Sequence, residues 1–363
     1  MEYGSSLIVP SVQELAKDGV LNIPSRYIKS DEQDQKIVNF VGVGGNSGIP
    51  VIDMETLDSP HQYQSSDFEL AKLHSASKDW GFFQVVNHGI SSSLLEKTKA
   101  EIEGFFKLPM EEKKKLWQRP GDVEGFGQAF VVSEEQKLDW SDMFFLTTLP
   151  AYMRTPHLFP NLPISFRETL EIYALEVQKL AMKILAQMEK ALKIEDKEMT
   201  GLFEDGMQTM RFNYYPPCPH PEKVIGITPH SDGVALTILL QVNEVEGLQI
   251  RKDGMWVPVK PLPNAFIVNV GDELEMITNG IYRSIEHRAS VNSDKERLSV
   301  ATFYNPRTGS EIGPVKSLIS PQTPAKYITL GVEDYLKRLF ARELHGKAFI
   351  DTMKIAPSSC DYH

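Results

Sequence analysis

From Gly206 to Tyr304 the chain becomes a train of short, turn-punctuated strand runs, and this limits its fold more than any other feature. Met210–Tyr215 alternates in polarity, and the prolines at 216, 217, 219 and 221 make a stiff loop after it. Ala235–Val242 reads as a buried strand. Leu248–Arg251 and Met255–Val259 flank Lys252-Asp253-Gly254, where Asp-Gly favours a hairpin. Ala265–Val270, Tyr282–Val291 and Arg297–Tyr304 are three further strand runs. Spacing this regular predicts a closed double sheet of jelly-roll type, a double-stranded β-helix like that of cupins. Helices predicted on either side make the class α+β, a cupin-like core flanked by helices.

Inside that train lies a candidate metal site. His230 and Asp232 are two apart, so on an extended chain both side chains leave one face. His287, in Ser284–Arg288, supplies a third donor. Two histidines and a carboxylate on one face of an octahedral metal leave three positions open, the arrangement of non-haem Fe(II) oxygenases. His220 is the nearest rival ligand but sits between Pro219 and Pro221. Beyond His287, Arg297 and Ser299 again share a face, and a guanidinium converging with a hydroxyl suits a carboxylate-bearing co-substrate. Alone, each piece reads as well as a surface histidine or a solvated arginine; their order along successive strand runs carries the argument. The same parity puts Phe303 on the face of Arg297 and Ser299, as a substrate contact or as plain core.

Upstream, Ser11 is a plausible cap for a helix over Val12–Lys17, and the glycines from Gly42 to Gly48 read as a loop, since no helix start with a lysine follows. Ile49–Asp53 and Gly81–Asn87 are predicted strands, and Ser66-Asp67 is predicted to cap a helix reaching Lys78. His88 reads as a structural histidine. Helices are expected over Ser91–Phe106, Glu111–Trp117 and, longest, Ile164–Ile194, with Pro120–Gly127 a loop. Asp139–Leu146 is an aromatic-rich strand in which Phe144 and Phe145 serve the core or the substrate. A last helix is predicted over Val332–Leu344. The organisation expected is a mixed region (1–205) packing on the catalytic jelly roll (206–310), then a helical segment and tail (311–363).

The net charge of −11 argues against non-specific binding to nucleic acid or an anionic membrane. Two cysteines, Cys218 and Cys360, make no disulfide framework, and Met1–Gly4 lacks the charged and apolar stretches of a signal peptide, so none is expected. A soluble cytoplasmic protein, a monomer with a small-molecule partner, is expected.

Several motifs together resemble the plant 2-oxoglutarate/Fe(II)-dependent dioxygenase family. They are Trp80–Gly89, Asn213-Tyr214-Tyr215-Pro216-Pro217-Cys218, His230-Ser231-Asp232, Gly247-Leu248-Gln249, Asn279–Arg288 and Arg297-Leu298-Ser299. Asp122–Gly127 and Asp139–Asp142 place it near a senescence-related-protein-1-like branch that includes thebaine and codeine O-demethylases. The resemblance implies Fe(II) on His230, Asp232 and His287. It also implies 2-oxoglutarate held by Arg297 and Ser299 near Tyr215 and Asn213, O₂ as oxidant and ascorbate as reductant. It implies hydroxylation or oxidative O-demethylation of an alkaloid or phenolic, with decarboxylation of 2-oxoglutarate to succinate and CO₂. Alternatives are a hormone-directed, gibberellin-type oxidase of the same family, a cupin-like metal isomerase or lyase, and a non-catalytic binder. Glu273 departs from the family pattern, in which a neutral residue is common.

Overall fold

The computed structural model describes residues 6–17, 22–29, 48–59, 63–120, 122–343 and 346–356. Met1–Gly4, Cys360 and all of the 42–48 loop but Gly48 therefore lie outside the described residues. The chain opens with α1 (Val12–Lys17). Asp142 accepts from Ser11 Oγ and from the amides of Val12 and Gln13, so a buried carboxylate caps the helix. Next come β1 (Val51–Asp53), α2 (Met54–Asp58) and α3 (Tyr63–Ser75). The α3 start precedes the predicted cap because the Ser66 hydroxyl donates to Leu57 O instead. Its end passes into a single π turn, Ala76–Trp80, closed at Gly81, where φ is 61°.

Then follow β2 (Phe82–Val86), α4 (Ser92–Lys107, capped by Ser91), α5 (Met110–Lys114), β3 (Gly125–Gly127), β4 (Asp142–Leu149) and α6 (Ile164–Leu192). The predicted 120–127 loop thus ends in a short strand paired to β4. The jelly-roll part runs through β5 (Met207–Tyr215), β6 (Ile227–His230), β7 (Leu236–Gln241), β8 (Leu248–Lys252), β9 (Met255–Pro258) and β10 (Phe266–Val270). It continues with α7 (Asp272–Ile277), β11 (His287–Ala289) and β12 (Arg297–Asn305). The long strand predicted over Tyr282–Val291 shrinks to three residues: Ser284 N donates to the Glu275 carboxylate at 2.7 Å, so that backbone leaves the ladder. Beyond lie β13 (Glu311–Ile312), β14 (Leu330–Gly331), α8 (Val332–Phe340) and α9 (Ala348–Asp351). α8 ends at Phe340, short of the predicted Leu344, itself outside the described residues.

Eight strands form one sheet in the order β1-β2-β10-β7-β12-β5-β4-β3, and β6-β11-β8-β9 form a second. Both flanks of the large sheet come from residues before 206 and its centre from residues after, so the sheet crosses that boundary. One face buries the large core against α3, α4 and α6, where Leu170, Val177, Ile184 and Met188 keep the helical period. Between the two sheets lies a smaller cluster of Phe82, Leu248, Ile250, Val257 and Ile267. His88 is structural: its Nε2 bonds Asn264 O at 2.9 Å. Among the described residues no helix is long and apolar enough to cross a membrane.

Candidate active site

β6 and β11 are antiparallel neighbours with His230 and His287 as register partners, which sets the imidazoles side by side at 4.4 Å between ring centres. Asp232 follows β6 by two residues. The ligand atoms of all three lie within 4.8 Å of one another and the three residues are buried. His230 Nδ1 lies 2.8 Å from Thr228 O, and His287 Nδ1 lies 3.1 Å from Ile285 O. A carbonyl only accepts, so each Nδ1 carries the proton and each Nε2 turns its lone pair towards Asp232 Oδ1, at 3.4 and 3.6 Å.

Asp232 is divided in the same way. Its Oδ2 accepts from Thr237 Oγ1 at 2.6 Å and from Asn269 Nδ2 at 2.8 Å, leaving Oδ1 to face the imidazoles. Burial alone raises this carboxyl; the imidazoles of His287 and His230, cationic at the low pH where the carboxyl titrates, and the Thr237 hydroxyl outweigh it and hold it below the usual range. Burial lowers His287 to about 4, against the opposing pull of Asp232, so the ring is neutral at pH 7. Two imidazoles with Nδ1 tied to a carbonyl and Nε2 turned inward, and one ionised oxygen, fit a divalent iron ion with coordination positions to spare. His220 takes no part; it lies half-exposed against Glu222.

Along β5 and β12, alternate residues face the triad. Arg297 pairs with Tyr215, Ser299 with Asn213, and Ala301 with Arg211. Arg297 is only 3% exposed. Its Nη2 donates to Gln241 Oε1 at 2.9 Å, its guanidinium lies 5.0 Å over the Tyr215 ring, and its Nε has no partner. No carboxylate pairs with it among the described residues. Gly247 makes room for it, since a Cβ there would stand 2.8 Å from Arg297 Cδ. Asn213 Nδ2 reaches Ser299 Oγ at 3.4 Å while its own Oδ1 is unpartnered. A buried guanidinium without an acid, beside an underused amide and a hydroxyl, fits the carboxylate end of 2-oxoglutarate.

Two cavities meet at the triad. One, of about 540 Å³ including its mouth, holds Tyr215, Asn213, Arg297 and Ser299. The other, of about 850 Å³ including its mouth, is mostly apolar and is lined by Met143, Phe145, Leu336, Leu339 and Phe340 among others. His230, Asp232, Arg211 and Phe303 line both. Phe145 faces the larger cavity. Phe144 does not: strand alternation turns it to the other face, where it packs on Phe105 and Phe212 in the core. Sequence reasoning missed Thr237, Asn269, Gln241 and Arg211; the only signal was parity along strands whose register was not known.

The comparisons agree with this geometry. The 2OG-Fe(II) oxygenase superfamily matches residues 206–306, and the family described as non-haem dioxygenase in morphine synthesis N-terminal matches 49–162. Protein SRG1 of Arabidopsis thaliana is 57% identical over 97% of this chain and 98% of its own length. Codeine O-demethylase of Papaver somniferum is 55% identical over 98% of each. The crystal structure of JOX2 in complex with 2OG, Fe and JA superposes with a TM-score of 0.86 at 35% identity, covering 98% of this chain and all of that one. The chain belongs to the 2OG-Fe(II) oxygenase superfamily and is an oxidoreductase that uses iron and 2-oxoglutarate.

Proposed function

We propose that this enzyme oxidatively O-demethylates a flat, largely apolar small molecule, a methoxy-bearing alkaloid or phenolic. His230, Asp232 and His287 hold Fe(II), and Arg297 and Ser299 grip the far carboxylate of 2-oxoglutarate beside Tyr215 and Asn213. The supporting observation is that a cavity holding the buried Arg297, Ser299 and Asn213 and a larger, mostly apolar one meet at the triad. Co-substrate on one side and substrate on the other place a substrate C–H bond next to the iron. Iron with 2-oxoglutarate and O₂ supplies insertion of one oxygen atom into that bond, with release of succinate and CO₂. When the carbon is a methoxy group, the product hemiacetal separates into an alcohol or phenol and formaldehyde.

The protein's own part is positioning. Thr237 and Asn269 fix which Asp232 oxygen faces the metal, and Thr228 O and Ile285 O fix both tautomers. Phe145 and Phe303 present aromatic surface to a planar ring. The demethylase reading draws on the similarity to codeine O-demethylase. Assaying methoxylated alkaloids and phenolics for succinate and formaldehyde tests it: the two should appear in equal amounts. Succinate with an oxygenated product and no formaldehyde would replace demethylation by hydroxylation.

A further inference from the structure

The larger cavity contains one carboxylate remote from the metal, Glu124, on the segment entering β3. Its Oε1 accepts from Thr147 Oγ1 at 2.5 Å and its Oε2 from Thr147 N at 3.2 Å. With a further bond from Thr155, three of a carboxylate's roughly four acceptor sites are taken, and the side chain lines the cavity. No lysine or arginine pairs with Glu124 among the described residues. Burial raises its carboxyl, opposed by hydrogen bonds from Thr147 and Thr155, so a cation brought beside it would be stabilised.

The register of the sheet gives the distance from this group to the chemistry. Thr147 on β4 pairs with Thr209 on β5, Thr209 with Phe303 on β12, and Phe303 with Thr237 on β7. The row begins at the residue that holds Glu124 and ends at the residue that holds Asp232. Three strand spacings separate its ends, about 14 Å at ~4.8 Å each. Thr147, Thr209 and Phe303 line the cavity between. Apart from the triad's own Asp232, the other charged side chain in the cavity is Arg211, which also lines the co-substrate side and has no acid partner among the described residues, so it repels a cation approaching that end.

We propose that Glu124 is a specificity-determining residue that anchors a protonated amine of the substrate at the end of the cavity remote from the iron. The carbon oxidised then lies about 10–14 Å from that nitrogen. This narrows the substrate class stated above to cationic amines, and it rests on that reading only for the chemistry at the far end.

The test uses the full chain loaded with Fe(II) and 2-oxoglutarate without O₂, so binding is read whether or not the ligand is oxidised. The probes are a methoxyaryl tertiary amine and its neutral N-acyl counterpart, titrated by intrinsic fluorescence. Wild type should bind the amine about ten- to a hundredfold more tightly than the amide. In Glu124→Gln that preference should fall to near unity. Glu124→Asp, which keeps the charge, should restore part of it and guards against a merely structural loss. Equal binding of both probes to wild type, or an unchanged preference in Glu124→Gln, overturns the assignment. Absence of formaldehyde when O₂ is admitted, with the preference intact, would overturn the demethylase reading and leave this one standing.

Discussion

Arg297→Ala should separate co-substrate binding from metal binding. In the folded protein the guanidinium is buried, spends one donor on Gln241, leaves its Nε unpartnered and faces no acid among the described residues. A buried cation of this kind is costly until a carboxylate arrives, so most of its donor capacity is reserved for the ligand. Removing one side of a buried charge pair costs about 2–5 kcal/mol, which is roughly 30- to several-thousand-fold in affinity. The expected outcome is a rise of that order in the 2-oxoglutarate KM. Iron affinity should stay near wild type, because Arg297 contacts none of His230, Asp232 or His287. Arg297→Lys keeps the charge, loses the planar fork, and should fall between. Iron titration without co-substrate, then 2-oxoglutarate titration at fixed iron, reads the two separately. An unchanged 2-oxoglutarate response in the Ala variant would refute the reasoning, and so would parallel losses of iron and co-substrate.

His287→Ala should lose iron and turnover while melting cooperatively, whereas His220→Ala should bind iron normally; iron stoichiometry and succinate release check both. Thr237→Val and Asn269→Ala should each weaken iron binding about 10- to 100-fold, since each frees Asp232 Oδ2 to turn, and an unaltered iron titration would remove them from the site. Glu273 is fully buried, both its oxygens lack partners, and burial pushes its carboxyl well above its ordinary value. The folded state therefore keeps a proton that the unfolded chain releases above about pH 4.5, so this residue's contribution to stability falls as pH rises through that value. Glu273→Met should stabilise by about 1–3 kcal/mol near neutral pH, with the gap closing towards pH 4.5; thermal melts showing a pH-independent gap would exclude that cause.

What was legible in the sequence followed from local geometry. His230 and Asp232, and likewise Arg297 and Ser299, are two apart, and parity alone brings each pair to one face. What was hidden depended on which strand lies beside which. Thr237 and Asn269 look like ordinary strand residues until β7 and β10 are set next to each other and against Asp232. Phe144 and Phe145 are equivalent in composition, and only the register of β4 against β5 sends one to the core and the other to the cavity. The 282–291 run contains strand formers throughout, yet side chains from elsewhere claim its start: Glu275 takes Ser284 N, and Lys347 donates to Ser284 O.

The same topology explains why reaction type is easier to read than substrate. The two histidines and the Arg297 face stand on β5, β6, β11 and β12, at the sheet's centre and in the facing sheet, with Asp232 just beyond β6, where chemistry and strand pattern are written together. Much of the wall of the larger cavity comes from three stretches remote from the triad: Glu124 and Phe130 from the segments around β3, Phe145 from β4, and Leu336, Leu339 and Phe340 from α8. At its edge Phe130, held at a φ of 62°, stacks on Phe340 with ring centres 5.4 Å apart and planes 10° from parallel. A non-glycine residue persists in that conformation only where its surroundings hold it, and here the α8 partner comes from more than two hundred residues later. No window of sequence contains both rings. The side chains that wall the larger cavity are therefore brought together largely by tertiary contacts between the edge of the large sheet and α8, whereas the triad and the Arg297 face lie on short strand segments, their register partners and the turn after β6.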